Sequence, residues 1–159
     1  MTAKLGTIGV YGRTADDFLA DLRAFGADAL VDVRRRRGVR GREYAWANAG
    51  RLQALCAEAG IAYVHCLELA PTEAIRDIVR ADDHRARRSN RARTELSPEY
   101  VAAYEAMLDE PGVMEAARAA VEPYVAPVLL CVEAEPAACH RSIAAQRLAA
   151  ELRCDRTDL

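Results

Sequence analysis

Four short apolar runs punctuate the chain, and most stretches between them repeat hydrophobic residues at helical spacing. The runs are Leu5-Gly6-Thr7-Ile8-Gly9-Val10, Ala29-Leu30-Val31-Asp32-Val33, Ile61-Ala62-Tyr63-Val64-His65 and Val128-Leu129-Leu130-Cys131-Val132. All four read as strands; the last reads as a fully buried central strand and the second as interior, as in a parallel sheet. After the first, Thr14 offers an N-cap and Asp16 and Asp17 suit a first helical turn. Phe18, Leu19, Leu22 and Phe25 then keep helical spacing up to Gly26, placed as a C′ residue. Strand, helix and strand in that order predict parallel pairing with a right-handed crossover. Further helices are predicted from Gly50 to Ala59, from Pro71-Thr72 through Val79, from Ser97-Pro98-Glu99, from Pro111 through Val121, and from Cys139 through Leu152. The fold class that follows is α/β: a three-layer sandwich about a mainly parallel central sheet of four or five strands, Rossmann-like, in one domain over residues 1–159.

Two stretches break the pattern. Residues 34–48, RRRRGVRGREYAWAN, far exceed the roughly 2–6 residues usual between a strand and a helix. Tyr44 and Trp46 stand there among arginines, either to stack a base while the cations hold phosphate, or to fold back and anchor the loop to the core. Residues 82–94, DDHRARRSNRART, have no apolar periodicity and read as a mobile Arg-rich excursion, a lid or a disordered loop.

Chemistry concentrates where the last apolar run ends. Glu133 follows it, an acidic turn with Pro136 comes next, and Cys139, His140, Arg141 and Ser142 fall where the final helix begins. In an open α/β sheet ligands bind beyond the carboxyl ends of the strands, and a helix N-terminus there favours anions. Cys139, near a helix start and beside His140 and Arg141, has the setting of an activated nucleophile; the alternative is a half-buried structural cysteine. Glu133 is a candidate nucleophile or general base, or else the partner of Arg141 or Arg34 in a salt bridge. Asp32 and Arg34, two apart on a strand, share a face. They either aim Arg34 at an anion over Cys139 or form a buried pair. Tyr11, Arg40, Arg141 and Ser142 complete the candidate phosphate-binding set. His65, at another strand end, is a base, a ligand, or a histidine satisfied by backbone. Cys131 and Cys139 lack CxxC spacing, so no metal site is predicted. The glycines of Gly9-x-x-Gly12 lack the dinucleotide fingerprint, and no cofactor is expected.

Composition narrows the partners. The chain has 159 residues, 29 % charged and 52 % apolar, with no apolar run near membrane-spanning length. Five cysteines without a regular framework, and no signal-peptide pattern, lead us to expect a cytoplasmic location. The net charge of −2 hides two arginine clusters, over 34–42 and 76–93, against a single lysine, Lys4. Arginine forks match phosphate bidentately, so a phosphate-bearing small molecule or a nucleic acid is the expected partner, and a membrane is not. The other reading of these arginines is a solvated surface.

Thr7-Ile8-Gly9, Leu30-Val31-Asp32-Val33-Arg34, Gly60-Ile61-Ala62-Tyr63-Val64-His65, and above all Cys131-Val132-Glu133 with Pro136-Ala137-Ala138-Cys139-His140-Arg141-Ser142, together resemble the domain-of-unknown-function 488 family. The resemblance covers nearly the whole chain and implies a small α/β domain without an assigned activity. Where the family implies a histidine after the first strand's glycine, this chain has Val10-Tyr11. Where it implies a further closing strand, the chain stops at Arg156-Thr157-Asp158-Leu159. Two functions remain in view. One is a hydrolase or transferase acting on a nucleotide or nucleic acid through Cys139 or Glu133. The other is a nucleotide- or nucleic-acid-binding module without chemistry, with a metal or redox role behind both.

Overall fold

The computed structural model describes residues 1–159. The four apolar runs form β1 (Lys4–Ile8), β2 (Ala29–Asp32), β3 (Ala62–His65) and β4 (Pro127–Leu130), and a fifth strand, β5, spans Asp155–Asp158. All pair in parallel in the order β3-β2-β4-β1-β5. Two expectations are corrected here. β1 and β2 are parallel but not neighbours, because β4 inserts between them, with Leu129 opposite both Thr7 and Val31. The closing strand is also present: β5 lies at the edge beside β1, its polar DRTD sequence half-solvated, with Thr7 Oγ1 donating to Asp158 at 2.6 Å.

Alternation along the strands divides the core in two. Ile8, Leu30, Val128 and Leu130 face α1 (Ala15–Phe25) and α2 (Ala49–Glu58), packing on Phe18, Leu22, Leu52 and Cys56. Leu5, Val31 and Leu129 face the opposite layer, formed by α3 (Glu73–Arg85), α4 (Pro98–Leu108), α5 (Val113–Val121) and α6 (His140–Leu152). The result is a three-layer, Rossmann-like α/β sandwich. Capping follows the local sequence: Thr14 and Asp17 form a reciprocal capping box on α1, and Gly26 closes that helix at φ 75°. Ser97 caps α4, with Pro98 in the first turn. No helix is long and apolar enough to cross a membrane.

The two irregular stretches are held by specific contacts. Residues 42–47 form a 3₁₀ helix whose Trp46 packs on Phe18, ring centroids 4.9 Å apart, so the aromatic anchors the loop to the core. The 82–94 stretch carries more order than its lack of periodicity conveys. α3 runs into it as far as Arg85, residues 90–92 make a 3₁₀ turn, and Asp83 and Arg93 are buried against each other.

Candidate functional site

β4 delivers Cys131, Val132 and Glu133 beyond its carboxyl end, and a turn at 136–138 returns the chain to start α6 at His140. The turn sits hard against β1. A Cβ added to Gly9 would overlap the Glu133 carbonyl oxygen, so only glycine admits this approach. Val10 and Tyr11 N–H groups both donate to Val132 O, at 3.1 and 3.0 Å. Arg141, almost completely buried, clamps the same turn: its guanidinium donates to Glu133 O at 2.7 Å and Ala134 O at 3.5 Å, and its Nε to Thr7 Oγ1 at 3.4 Å. Ser142 Oγ donates to Pro136 O at 2.5 Å. Arg141 and Ser142 therefore shape the backbone here and present no free fork to an anion.

Arg34 is likewise committed. Its guanidinium makes a two-point contact with Asp32, at 2.8 and 2.7 Å, and donates to Ala47 O at 3.0 Å, with both residues buried. Tyr63 also donates to Asp32, at 2.5 Å. The buried pair that the i, i+2 spacing allowed is the arrangement present, and it ties β2 to the 34–48 loop. The side chains of Tyr11 and Arg40 point away from this site, although Tyr11 N–H is bound at the strand ends. Tyr11 packs edge-on against Tyr44, centroids 5.3 Å apart, under the Arg91 guanidinium at 4.8 Å. Arg40 is exposed and offers only its carbonyl, to Arg91. His65 meets Arg34 O at 2.9 Å, the backbone-satisfied alternative.

What the fold does bring together is Glu133, Cys139, His140 and Cys131, on the floor of a cleft of about 320 Å³. His140 Nε2 lies 3.1 Å from Val33 O. A proton on Nε2 donated to that carbonyl leaves the Nδ1 lone pair facing both Cys131 and Cys139 Sγ, each at 3.9 Å. Tyr104 packs its ring edge-on against the imidazole at 5.3 Å, and its hydroxyl is anchored on Leu69 O at 2.7 Å. Cys131 Sγ lies 3.7 Å from Glu133 Oε2. Arg93 reaches Glu133 at 3.5 Å while its other donors hold Asp83.

The electrostatics follow from burial and neighbours. Burial lifts the Glu133 carboxyl, and negative charge on Cys139 lifts it further, to about 7 against the partial opposition of Arg93 and His140. Burial alone would raise the Cys139 thiol, but a hydrogen bond from Cys131 and the charges of His140 and Arg141 bring it well below its ordinary value. The Cys131 thiol moves the other way, through its hydrogen bond to Cys139 and its burial. Burial disfavours charge on His140, yet Cys139, the Val33 carbonyl and Glu133 raise it above its ordinary value.

Arg34 lines the cleft with five arginines not singled out individually, Arg35, Arg36, Arg76, Arg80 and Arg93, all within the two arginine clusters of the sequence. Arg35 uses two donors on Pro71 O and Ala70 O, leaving others free. Arg36, Arg76 and Arg80 gather around the single carboxylate of Glu73, at 3.9, 2.8 and 3.3 Å. The i, i+4 spacing of Arg76 and Arg80 on one helix was the available signal for this wall. Arg93 belongs to the same cluster, but nothing in its polar surroundings marks it as buried.

Residues 14–148 match a family model described as a domain of unknown function, DUF488. No match is found among curated proteins or among solved structures.

Proposed function

The chain belongs to the domain-of-unknown-function family DUF488, and from that premise we propose that the arginine-walled cleft is the active site of a hydrolase or transferase acting on a phosphate-bearing substrate of nucleotide size. The observation that carries this reading is the cleft itself: arginines on its walls, and a carboxylate, a thiol and an imidazole together on its floor. Its volume suits a small molecule. Arg36, Arg76 and Arg80 share two carboxylates, Glu73 and Asp77, and Arg93 is paired with Asp83 and Glu133, unlike the open basic stripe that tracks a nucleic-acid backbone. A substrate phosphate replaces Glu73 as the common partner of Arg36, Arg76 and Arg80, with Arg35 adding its remaining donors.

Glu133 is the proton-transfer group. It takes a proton from the attacking water, or from an acceptor hydroxyl in a transfer reaction. The oxygen bonds to the electrophilic carbon or phosphorus, the bond to the leaving group breaks, and the leaving group takes the proton back from Glu133. Arg93 holds the carboxylate in place without being its only support. A second reading makes Cys139 the attacking atom, favoured by His140 beside its sulfur, since the imidazole's charge and hydrogen bond help to bring the thiol well below its ordinary value.

The test is turnover of a panel of nucleoside phosphates and nucleotide derivatives by purified protein. Glu133→Gln lowers kcat by about 10²–10⁴-fold with Tm nearly unchanged. Arg76→Ala with Arg80→Ala raises KM and leaves kcat largely intact. Nucleotide binding without turnover, equally strong in Glu133→Gln, would show a binding module instead.

A further inference from the structure

Cys131 Sγ, Cys139 Sγ and a His140 ring nitrogen all lie within 4.8 Å of one another. We propose that Cys131, Cys139 and His140 hold one thiophilic divalent cation, zinc in first place, with Glu133 beside its fourth coordination position. Zinc–sulfur bonds of about 2.3 Å and a zinc–nitrogen bond of about 2.0 Å, at tetrahedral angles, place sulfur about 3.5 Å from nitrogen and the two sulfurs about 3.8 Å apart. Both sulfur–nitrogen separations are 3.9 Å and no pair of the three atoms is more than 4.8 Å apart, so a contraction of between a few tenths of an ångström and about 1 Å assembles the set. Two thiolates and an imidazole are a donor set of zinc type.

The ring is already oriented for this. His140 Nε2 on the Val33 carbonyl is the outer contact that metal-binding histidines use to fix the tautomer, and it turns the Nδ1 lone pair inward. Neither cysteine is free to drift. Cys131 N–H donates to Ile8 O and Cys139 N–H to Pro136 O, both within the backbone that Arg141 clamps. All three residues line the cleft, so the fourth position opens on it, as in a catalytic site and unlike a closed structural one.

This inference rests on the reading of Glu133 as the proton-transfer group. Zinc held by Cys131, Cys139 and His140 would lower the pKa of a bound water, and Glu133 beside it would take that water's proton and return it to the departing group. Cys139 is then a ligand and not the attacking atom.

Zinc content of the purified protein, followed by titration of chelator-stripped protein with zinc and cobalt, tests the site. The expected result is one zinc per chain and a cobalt–thiolate absorption band. Cys131→Ser, Cys139→Ser and His140→Ala, each checked for folding by circular dichroism, weaken zinc binding at least about a hundredfold, beyond the usual cost of losing a supporting partner. Glu133→Gln keeps zinc. The unsubstituted protein supplies a second readout: zinc protects Cys131 and Cys139 from maleimide, while Cys154, half-exposed, reacts with or without it. Zinc well below one per chain with no cobalt–thiolate band, or unaltered affinity in folded ligand variants, overturns the metal site. Turnover that persists in stripped protein but falls in Glu133→Gln removes the metal and leaves the Glu133 reading. Stoichiometric zinc in a protein that turns over no phosphate-bearing substrate does the reverse.

Discussion

At the scale of single residues, the sequence indicates which side chains carry chemistry better than which are free to use it. Arg34, Arg141 and Ser142 lie near the strand ends as expected, but each is consumed by local partners. Residue type and spacing cannot distinguish a guanidinium aimed at a ligand from one that closes a turn. Asp83 shows the converse, a buried group within a stretch that looks solvated. Burial alone would raise its carboxyl, but Arg93 and Arg88 outweigh that and hold it below its ordinary value. Because the folded value lies below the unfolded one, the stabilisation is complete above about pH 4 and is lost as pH falls through the folded value. Asp83→Asn leaves Arg93 without its main partner and costs about 3 kcal/mol at neutral pH, while flattening the acid limb of the stability curve. Urea unfolding from pH 2 to 7 measures both effects. At Gly9, alanine forces the Glu133 carbonyl away from β1 and costs about 1–3 kcal/mol. The same displacement lowers turnover with Glu133 still present, which the assay of the unsubstituted floor detects.

At the scale of elements, the interior strands were legible because a parallel strand covered on both faces must be apolar throughout. β5 was not, because an edge strand of sequence DRTD has no such requirement; pairing with β1 and the Thr7–Asp158 bond place it. The adjacency of β4 to both β1 and β2 was equally hidden, since periodicity carries no information about strand order. Trp46 was legible as an anchor, because a large ring is costly to leave in water. The turn from α6 into β5 has a cost of its own: Arg153 adopts φ 54°, a left-handed conformation unfavourable for a residue with a Cβ. Arg153→Gly removes that strain and raises stability by about 0.5–1 kcal/mol, read as a Tm increase of a few degrees. A decrease would mean that the arginine side chain contributes more than its backbone costs.

For the whole molecule, strand order decides which distant segments meet. Inserting β4 beside β2 carries the Cys131–Glu133 segment to the end of the strand that leads into Arg34, Arg35 and Arg36, and α3 brings Arg76 and Arg80 across from it. The floor was legible from the Cys-x-Glu and Cys-His-Arg pattern, and the wall arginines fall within the two clusters over 34–42 and 76–93. Which members of those clusters reach the cleft was not legible, because arginines on a helix look like a solvated face until the fold turns them inward. The aromatic cluster of Tyr11, Tyr44 and Arg91, the other place where a base could stack, lies outside it. On this reading the nucleotide occupies the cleft rather than the outer aromatic cluster, and amide hydrogen exchange with and without a panel of nucleotides distinguishes the two. Exchange slows at residues 35–36, 76–80 and 131–140 and nowhere else. Protection over residues 11–13, 44 and 91 with the cleft unchanged would place the nucleotide on the outer cluster instead.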